Sequence, residues 1–177
     1  MQIGKTNWFT KFTECLLVAV AVLNTASMVF EFLPKTLLAK LGDDFDNIFF
    51  ICEYSIALLF GIGYSIFWHR KEKRFPETSG KKHAWFIGII RYWLAFEIST
   101  YGFAKILGTQ FHTPGYRKDM LLREANGFTL TWYYYGYSYA LAVIIACTQI
   151  GGSILLLFRR TVLAGTIILL PVLINIL

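Results

Sequence analysis

Apolar residues occupy five long blocks along the chain, and charged connectors separate these blocks. They cover residues 12–30, 47–68, 84–107, 137–158 and 161–177 of the 177-residue sequence. A helix needs roughly 20 mostly apolar residues to cross a hydrocarbon core of about 30 Å. A membrane barrel would instead show short segments of alternating polarity. The pattern therefore predicts an all-α, transmembrane helical bundle of about five spans, formed by residues 1–177 as a single transmembrane domain.

The fifth block differs from the others in its length and its ending. It has 17 residues and stops in the apolar run LINIL, with no polar flank. At 1.5 Å per residue, a helix of that length covers only about 25 Å. This ending predicts that the natural chain extends beyond Leu177.

Composition agrees with a chain embedded in a membrane. Hydrophobic residues make up 56% of the sequence, against about 45–50% in typical globular proteins. The mean hydropathy is +0.52. A soluble domain of this length could not bury that much apolar surface.

The net charge of +6 reflects where the basic residues lie. Ten Lys or Arg side chains fall in the amino-terminal segment, the 69–83 connector and the turn after the fourth block, and six fall at the opposite ends of the blocks. An excess of basic residues in short loops marks the cytoplasmic side. We therefore expect a multi-pass protein of the plasma (inner) membrane with a cytoplasmic amino terminus. The lipid bilayer, and not nucleic acid, is the expected partner of this charge, and the 69–83 segment is predicted to be a solvated connector near anionic headgroups.

The segment between the third and fourth blocks, residues 108–135, is too long for a hairpin and too polar to span. Its run YRKDMLLREAN predicts a short interfacial helix. The run TWYYYGYSY that follows predicts an aromatic belt at the outer interface. Alternatively, this belt, with Trp132, also forms the mouth of a ligand pocket.

Small residues recur where predicted helices would touch. They are found in GIGYS at 61–65, in GG at 151–152 and in AGT at 164–166, and small side chains let helix backbones approach closely. The connection between the fourth and fifth blocks is little more than FRRT. Those two helices are therefore predicted to be antiparallel neighbours.

Three ionisable residues lie in the third block: Arg91, Glu97 and Lys105. Arg91 and Lys105 are near its ends, so their long side chains can extend to the headgroups. Glu97 is near the middle and too short to do so. An ionised carboxylate there costs roughly 2.5–3.5 kcal/mol, so we expect it to be protonated, paired or facing water.

Two polar residues are candidate partners for Glu97. Tyr101 lies one turn further along the same helix, and Gln149 lies at a similar predicted depth in the fourth block. Two interpretations stay open: a buried polar network that fixes helix register, or a functional site for protons, a quinone headgroup or a small substrate. Glu53, nearer to one end of its block, is a second candidate carboxylate.

Other kinds of site have little support in the sequence. The three cysteines lie in different blocks without a C-x-x-C motif, which argues against a disulfide-exchanging enzyme. No block contains a histidine, so no bis-His haem site is predicted. Neither a metal-spaced cluster nor a glycine-rich phosphate loop is evident.

Two stretches resemble DoxX-like membrane proteins. The first is RYWLAFEISTYGFAKI at 91–106, with an Arg near its start and a Gly-x-x-Lys at its end. The second, at 148–177, has GGSILLLFRR, similar to the family's acidic-Gly-Gly-Leu-Leu motif and basic turn. The resemblance covers about half of the chain and implies a four-helix core. One departure is Gln149, where the family often has Glu.

The resemblance implies a role beside membrane redox enzymes, since some relatives are linked to quinone-reducing thiosulfate oxidation or terminal oxidases. We expect an accessory or quinone-interacting subunit, with electrons supplied by a partner subunit that carries a redox centre. Glu97 and Lys105 are the candidate catalytic residues. The candidate ligand-binding residues are Arg91, Tyr101, Gln149 and Trp132. The alternative is a non-enzymatic scaffold or assembly factor whose charges only fix helix packing; a small transporter is a third, weaker option because no inverted repeat is evident.

Overall fold

The computed structural model describes residues 7–31, 45–72, 74–111 and 126–176. Within these ranges the chain forms six α-helices and no β-strand. The helices are α1 (Trp8–Glu31), α2 (Phe45–Glu72), α3 (Pro76–Ile106), α4 (Gly127–Tyr137), α5 (Tyr139–Leu157) and α6 (Val162–Ile176). The all-α prediction is confirmed for this part of the chain. Most of the predicted interfacial helix at 116–126, and the terminal Leu177, lie outside the described residues.

Three of the described helices are long and apolar enough to cross a membrane. The spans are Trp8–Met28 in α1, Asn47–Glu72 in α2 and Tyr139–Leu157 in α5. Helix α6 is apolar but short, and Arg91 and Glu97 lower the hydropathy of α3. The three spans are compatible with a membrane environment, whereas membrane crossing by α3 and α6, and so the five-span bundle, stays a prediction.

The predicted 69–83 connector is mostly helical, which corrects the sequence interpretation. Helix α2 continues to Glu72 and α3 begins at Pro76, so only residues 73–75 lie between them. Lys, Arg and Glu are good helix formers, and proline is favoured in the first turn of a helix, where its missing N–H is not needed. Hydropathy reports where a membrane span ends, but the helix itself continues beyond that point.

The contacts divide the chain into two compact units, Met1–Ile90 and Arg91–Leu177. In the first unit, α1 packs along α2. Gly61 permits the contact, because a Cβ atom there would lie 3.2 Å from Cβ and 3.3 Å from Cα of Leu16. Gly63, in the same GIGYS motif, faces open space. The prediction that this motif brings helices together is confirmed through Gly61.

In the second unit, α5 and α6 pack closely, as predicted for antiparallel neighbours joined by a short turn. A Cβ atom on Gly165 would lie 2.9 Å from the Gly152 carbonyl oxygen. One apolar core cluster of this unit consists of Ala95, Ile98, Leu156 and Leu169. The carboxyl-terminal part of α3 therefore packs with both α5 and α6.

Candidate functional site

Lys105, on the last turn of α3, is the most deeply buried of the predicted site residues. Only 1% of its surface is exposed. Its Nζ donates to Gln110 Oε1 at 2.7 Å and, more weakly, to the Tyr101 carbonyl oxygen at 3.4 Å. Between described side chains the structure gives two ion pairs, Lys11–Glu72 and His83–Glu14, and Lys105 takes part in neither.

An aromatic group lies over Lys105 where the chain leaves α3. Gly108 has a φ of +68°, and Phe111 adopts a φ of +65°, a left-handed conformation that costs non-glycine residues about 1–2 kcal/mol. The Phe111 ring centroid is 5.3 Å from Lys105 Nζ, within the range of a cation–π interaction. The ring also packs edge-on against Trp132, with centroids 4.9 Å apart, and stacks on Tyr135 at 5.6 Å. These contacts offset the backbone strain at Phe111.

The close approach of α3 and α5 places Gln149 near this region. A Cβ atom on Gly102 would lie 3.2 Å from the Ala146 carbonyl oxygen and 2.8 Å from Cγ1 of Ile150. Gln149 lies between those two residues and is 3% exposed. Lys105 is three residues beyond Gly102, a rise of about 4.5 Å along α3. Gln149 is therefore roughly one helical turn from Lys105 in depth.

Two polar atoms on the buried face of α5 have no hydrogen-bond partner among the described residues. They are Oε1 of Gln149 and Oγ of Ser153, and the Ser153 side chain is 1% exposed. The two residues are four positions apart, so they lie on the same helix face. Buried polar atoms are nearly always hydrogen-bonded in folded proteins. These two atoms are therefore candidates for contact with a polar group outside the described residues.

The other predicted site residues are less closely joined to Lys105. Tyr101 is 54% exposed, and only its backbone carbonyl contacts the Lys105 ammonium. Arg91 is half-buried, with its guanidinium 5.1 Å from the Tyr92 ring centroid. Glu97 is also half-buried. The structure thus groups Lys105 with Trp132 through Phe111; the pairing of Glu97 with Gln149 and the inclusion of Arg91 stay predictions.

A second polar cluster, in the first unit, was not predicted from the sequence. Lys11 on α1 is fully buried and forms an ion pair with Glu72 at the end of α2. Glu72 also accepts a 2.7 Å hydrogen bond from the Ser79 hydroxyl, which in turn accepts one of 2.9 Å from the indole N–H of Trp68. Trp68 is 1% exposed. This Lys11 cluster therefore ties together the ends of α1 and α2 and the start of α3.

A neighbouring pair joins α1 to α3. Oε1 of Glu14 lies 2.7 Å from Nδ1 of His83, close enough for an ion pair when the imidazole is protonated. The ring nitrogen is not aligned for a hydrogen bond, and Oε2 of Glu14 has no partner among the described residues. The Glu14 carboxylate is buried, whereas the His83 side chain is 40% exposed. Within the same ranges, no three His, Cys, Asp or Glu side chains lie close enough to hold a metal ion.

The sequence contained a signal for the burial of Lys11 and Glu14. Lys11 and Glu14 lie three residues apart, followed by the buried Cys15 and Val18. That spacing places the charges on the apolar face of α1 and not on a solvated flank. Lys11 was interpreted only as a positive charge on the cytoplasmic side, so its burial on the apolar face of α1 was not predicted.

The Ser79→Ala variant tests how much the hydrogen bonds of the Lys11 cluster contribute to stability. Replacing Ser79 by alanine removes the acceptor of the buried Trp68 N–H and one donor to Glu72. We expect the free energy of unfolding to fall by about 1–3 kcal/mol, measured by denaturant titration in mixed micelles. The adjacent Thr78 is exposed, so Thr78→Ala is the matched control. A Ser79→Ala protein as stable as this control would contradict a stabilising role for the hydroxyl.

Comparisons with known proteins give one informative similarity. Over 88 residues the chain is 35% identical to "Uncharacterized protein YwoB" of Bacillus subtilis (strain 168). The matched region is 49% of this chain and 54% of that protein, so the chain spans about half the length of the curated relative it matches. No protein-family model and no solved structure matches. The resemblance to DoxX-like proteins therefore stays a prediction.

Proposed function

We propose that this chain is an integral inner-membrane protein, with its amino terminus in the cytoplasm, that binds a quinone headgroup as an accessory subunit of a redox complex. The observation that supports it best is the buried Lys105 ammonium without a described carboxylate partner. Burying an uncompensated charge is costly. A ligand whose oxygen atoms accept hydrogen bonds from Lys105 would reduce this cost.

Quinone chemistry has counterparts among the buried polar groups of the second unit in both oxidation states. The oxidised headgroup has two carbonyl oxygens, which accept hydrogen bonds, and the ammonium of Lys105 is a donor. The reduced headgroup has two hydroxyls, which donate, and Oε1 of Gln149 and Oγ of Ser153 are buried acceptors without donors in the described structure. Trp132 and Phe111 supply an aromatic wall beside the amine.

Reduction of a quinone to a quinol adds two electrons and two protons. Glu97 lies eight residues before Lys105 on α3, a rise of about 12 Å. A half-buried carboxyl group can accept and release protons along this route. The electrons come, in this proposal, from a partner subunit that carries a redox centre. This chain's residues bind the headgroup and exchange protons.

The test is a titration of the purified protein in lipid nanodiscs with a short-chain ubiquinone analogue, followed by tryptophan fluorescence. Lys105→Met removes the donor to the headgroup. A hydrogen bond to a charged group contributes about 1.5–3 kcal/mol, so we expect the Kd to rise about 10–100-fold. Gln149→Leu is expected to weaken binding of the reduced analogue more than that of the oxidised one.

Lys81→Met is the matched control, since Lys81 is exposed on the first unit, and it should leave the Kd unchanged. Gln149→Leu keeps the test informative if Lys105→Met does not fold. It replaces a buried side chain whose Oε1 atom lacks a described partner by an apolar group of similar size, which is expected to leave the fold intact. Folded Lys105→Met and Glu97→Gln proteins that bind the analogue as tightly as the unchanged protein would refute this site.

The scaffold alternative has its own support in the Lys11 cluster. Its buried charges are paired with each other across helix ends and need no ligand. If the whole protein serves only to hold partners together, the nanodisc titration should show no saturable quinone binding to the unchanged protein. That single measurement separates the two functions.

A further inference from the structure

A surface pocket of about 390 Å³ lies where α2 meets α3 in the first unit. Three cationic side chains and two aromatic ones line it: Phe67, Arg70, Lys71, Arg74 and Phe75. All five residues belong to the first unit, whereas Lys105 belongs to the second.

The three cations of this pocket have no carboxylate partner among the described side chains. Glu72, next to Lys71 in sequence, is engaged by Lys11 and Ser79 instead. The Lys71 ammonium lies 5.4 Å from the Phe67 ring centroid, so one of the charges is held against a wall of the pocket. Glu72 is therefore already paired within the Lys11 cluster, and the charged side chains that line the pocket are all cationic.

The position of the pocket indicates what occupies it. The candidate span Asn47–Glu72 ends among its residues. Phe67 and Phe75 are 53% and 56% exposed, so each presents a large apolar surface beside the charges. Apolar and basic side chains together at the end of a span match the two parts of a phospholipid, its acyl chains and its phosphate.

We propose that this pocket binds the headgroup of an anionic phospholipid in the leaflet that the charge distribution predicts to be cytoplasmic. The lipid phosphate lies among Arg70, Lys71 and Arg74, and the upper acyl chain contacts Phe67 and Phe75. Arginine can hold phosphate oxygens in a bidentate manner. Free phosphate would use the cations but gain nothing from the two exposed aromatic rings, so the lipid is the better match.

The experiment is native mass spectrometry of the full chain. The protein is incubated in detergent with an equimolar mixture of phosphatidylglycerol and phosphatidylcholine, and the detergent is removed in the spectrometer. We expect the unchanged protein to retain phosphatidylglycerol at least about 10-fold more than phosphatidylcholine. Each basic residue near a membrane surface strengthens the attraction to anionic lipid by about 5-fold. The triple variant Arg70→Gln, Lys71→Gln, Arg74→Gln should therefore lose that preference.

A charge-matched control separates a defined site from general attraction. Lys81, Arg159 and Arg160 are exposed, and changing all three to glutamine removes the same charge outside the pocket. This control should keep the preference; equal loss in both triple variants would overturn the proposal. Phe67→Ser with Phe75→Ser should weaken lipid retention by several-fold. Displacement of phosphatidylglycerol by inorganic phosphate, with no effect of the two Phe changes, would show a phosphate site and also overturn it.

Discussion

Replacing Lys11 by methionine is expected to lower the free energy of unfolding by about 3–5 kcal/mol, the usual result when one partner of a buried ion pair is removed. Lys11 is fully buried, and the Glu72 side chain is only 15% exposed. Methionine fills the space of the lysine stem but leaves the Glu72 carboxylate without its cation. The measurement is unfolding of the purified protein in mixed micelles, followed by circular dichroism.

Two further variants make this prediction specific to the pair. Lys81→Met removes an exposed lysine from the same unit and should change stability by less than about 0.5 kcal/mol. Adding Glu72→Gln to Lys11→Met removes the uncompensated charge and should recover a large part of the loss, because buried pairs can often be replaced together at little cost. A Lys11→Met protein within about 1 kcal/mol of the control would show that the pair does not stabilise the fold.

Five of the six described helices could be located from the sequence, because their positions depend on local composition, whereas α4 was not predicted. Five apolar blocks, from 12–30 to 161–177, each correspond to a helix in the described structure, with ends displaced by up to eight residues. The largest displacement is at α3, which begins at Pro76 and not at Ala84. Charged residues continue a helix beyond a membrane span without contributing hydropathy, so its end could not be located from apolar patterning alone.

Side-chain partners were harder to predict, because they depend on contacts between distant parts of the chain. Lys11 and Glu72 are 61 positions apart, and nothing local to either residue identifies the other. Lys105 was recognised as a candidate, but its position beside Phe111 depends on the left-handed backbone at Gly108 and Phe111. A glycine can suggest such a turn. A phenylalanine in that conformation has no sequence signature.

The small-residue motifs show what sequence reasoning can and cannot resolve. GG at 151–152 correctly indicated close helix packing, but only one of the two glycines makes the contact. A Cβ atom on Gly152 would lie 2.6 Å from Cγ and Cδ2 of Leu169, whereas one on Gly151 would meet nothing within 4 Å. The difference is a rotation of about 100° around the helix axis. Pairwise packing, and not residue type, determines which glycine is required.

Gly165 packs directly against backbone atoms of α5, and Gly165→Val is expected to destabilise the second unit by about 1–3 kcal/mol or more. A Cβ atom there would lie 2.9 Å from the Gly152 carbonyl oxygen and 3.1 Å from the Leu156 backbone nitrogen. Backbone atoms cannot rotate away as a flexible side chain can. Valine therefore forces α5 and α6 apart and opens the core around Leu169.

The matched control for this change is Gly151→Ala, on the exposed side of α5. Alanine has a higher helix propensity than glycine by roughly 1 kcal/mol, so this variant should be as stable as the unchanged protein or more so. Thermal unfolding of both proteins in the same detergent gives the comparison. If Gly165→Val unfolds at the temperature of Gly151→Ala, then α5 and α6 do not pack through their glycines, and the close contact with Gly152 has no role in stability.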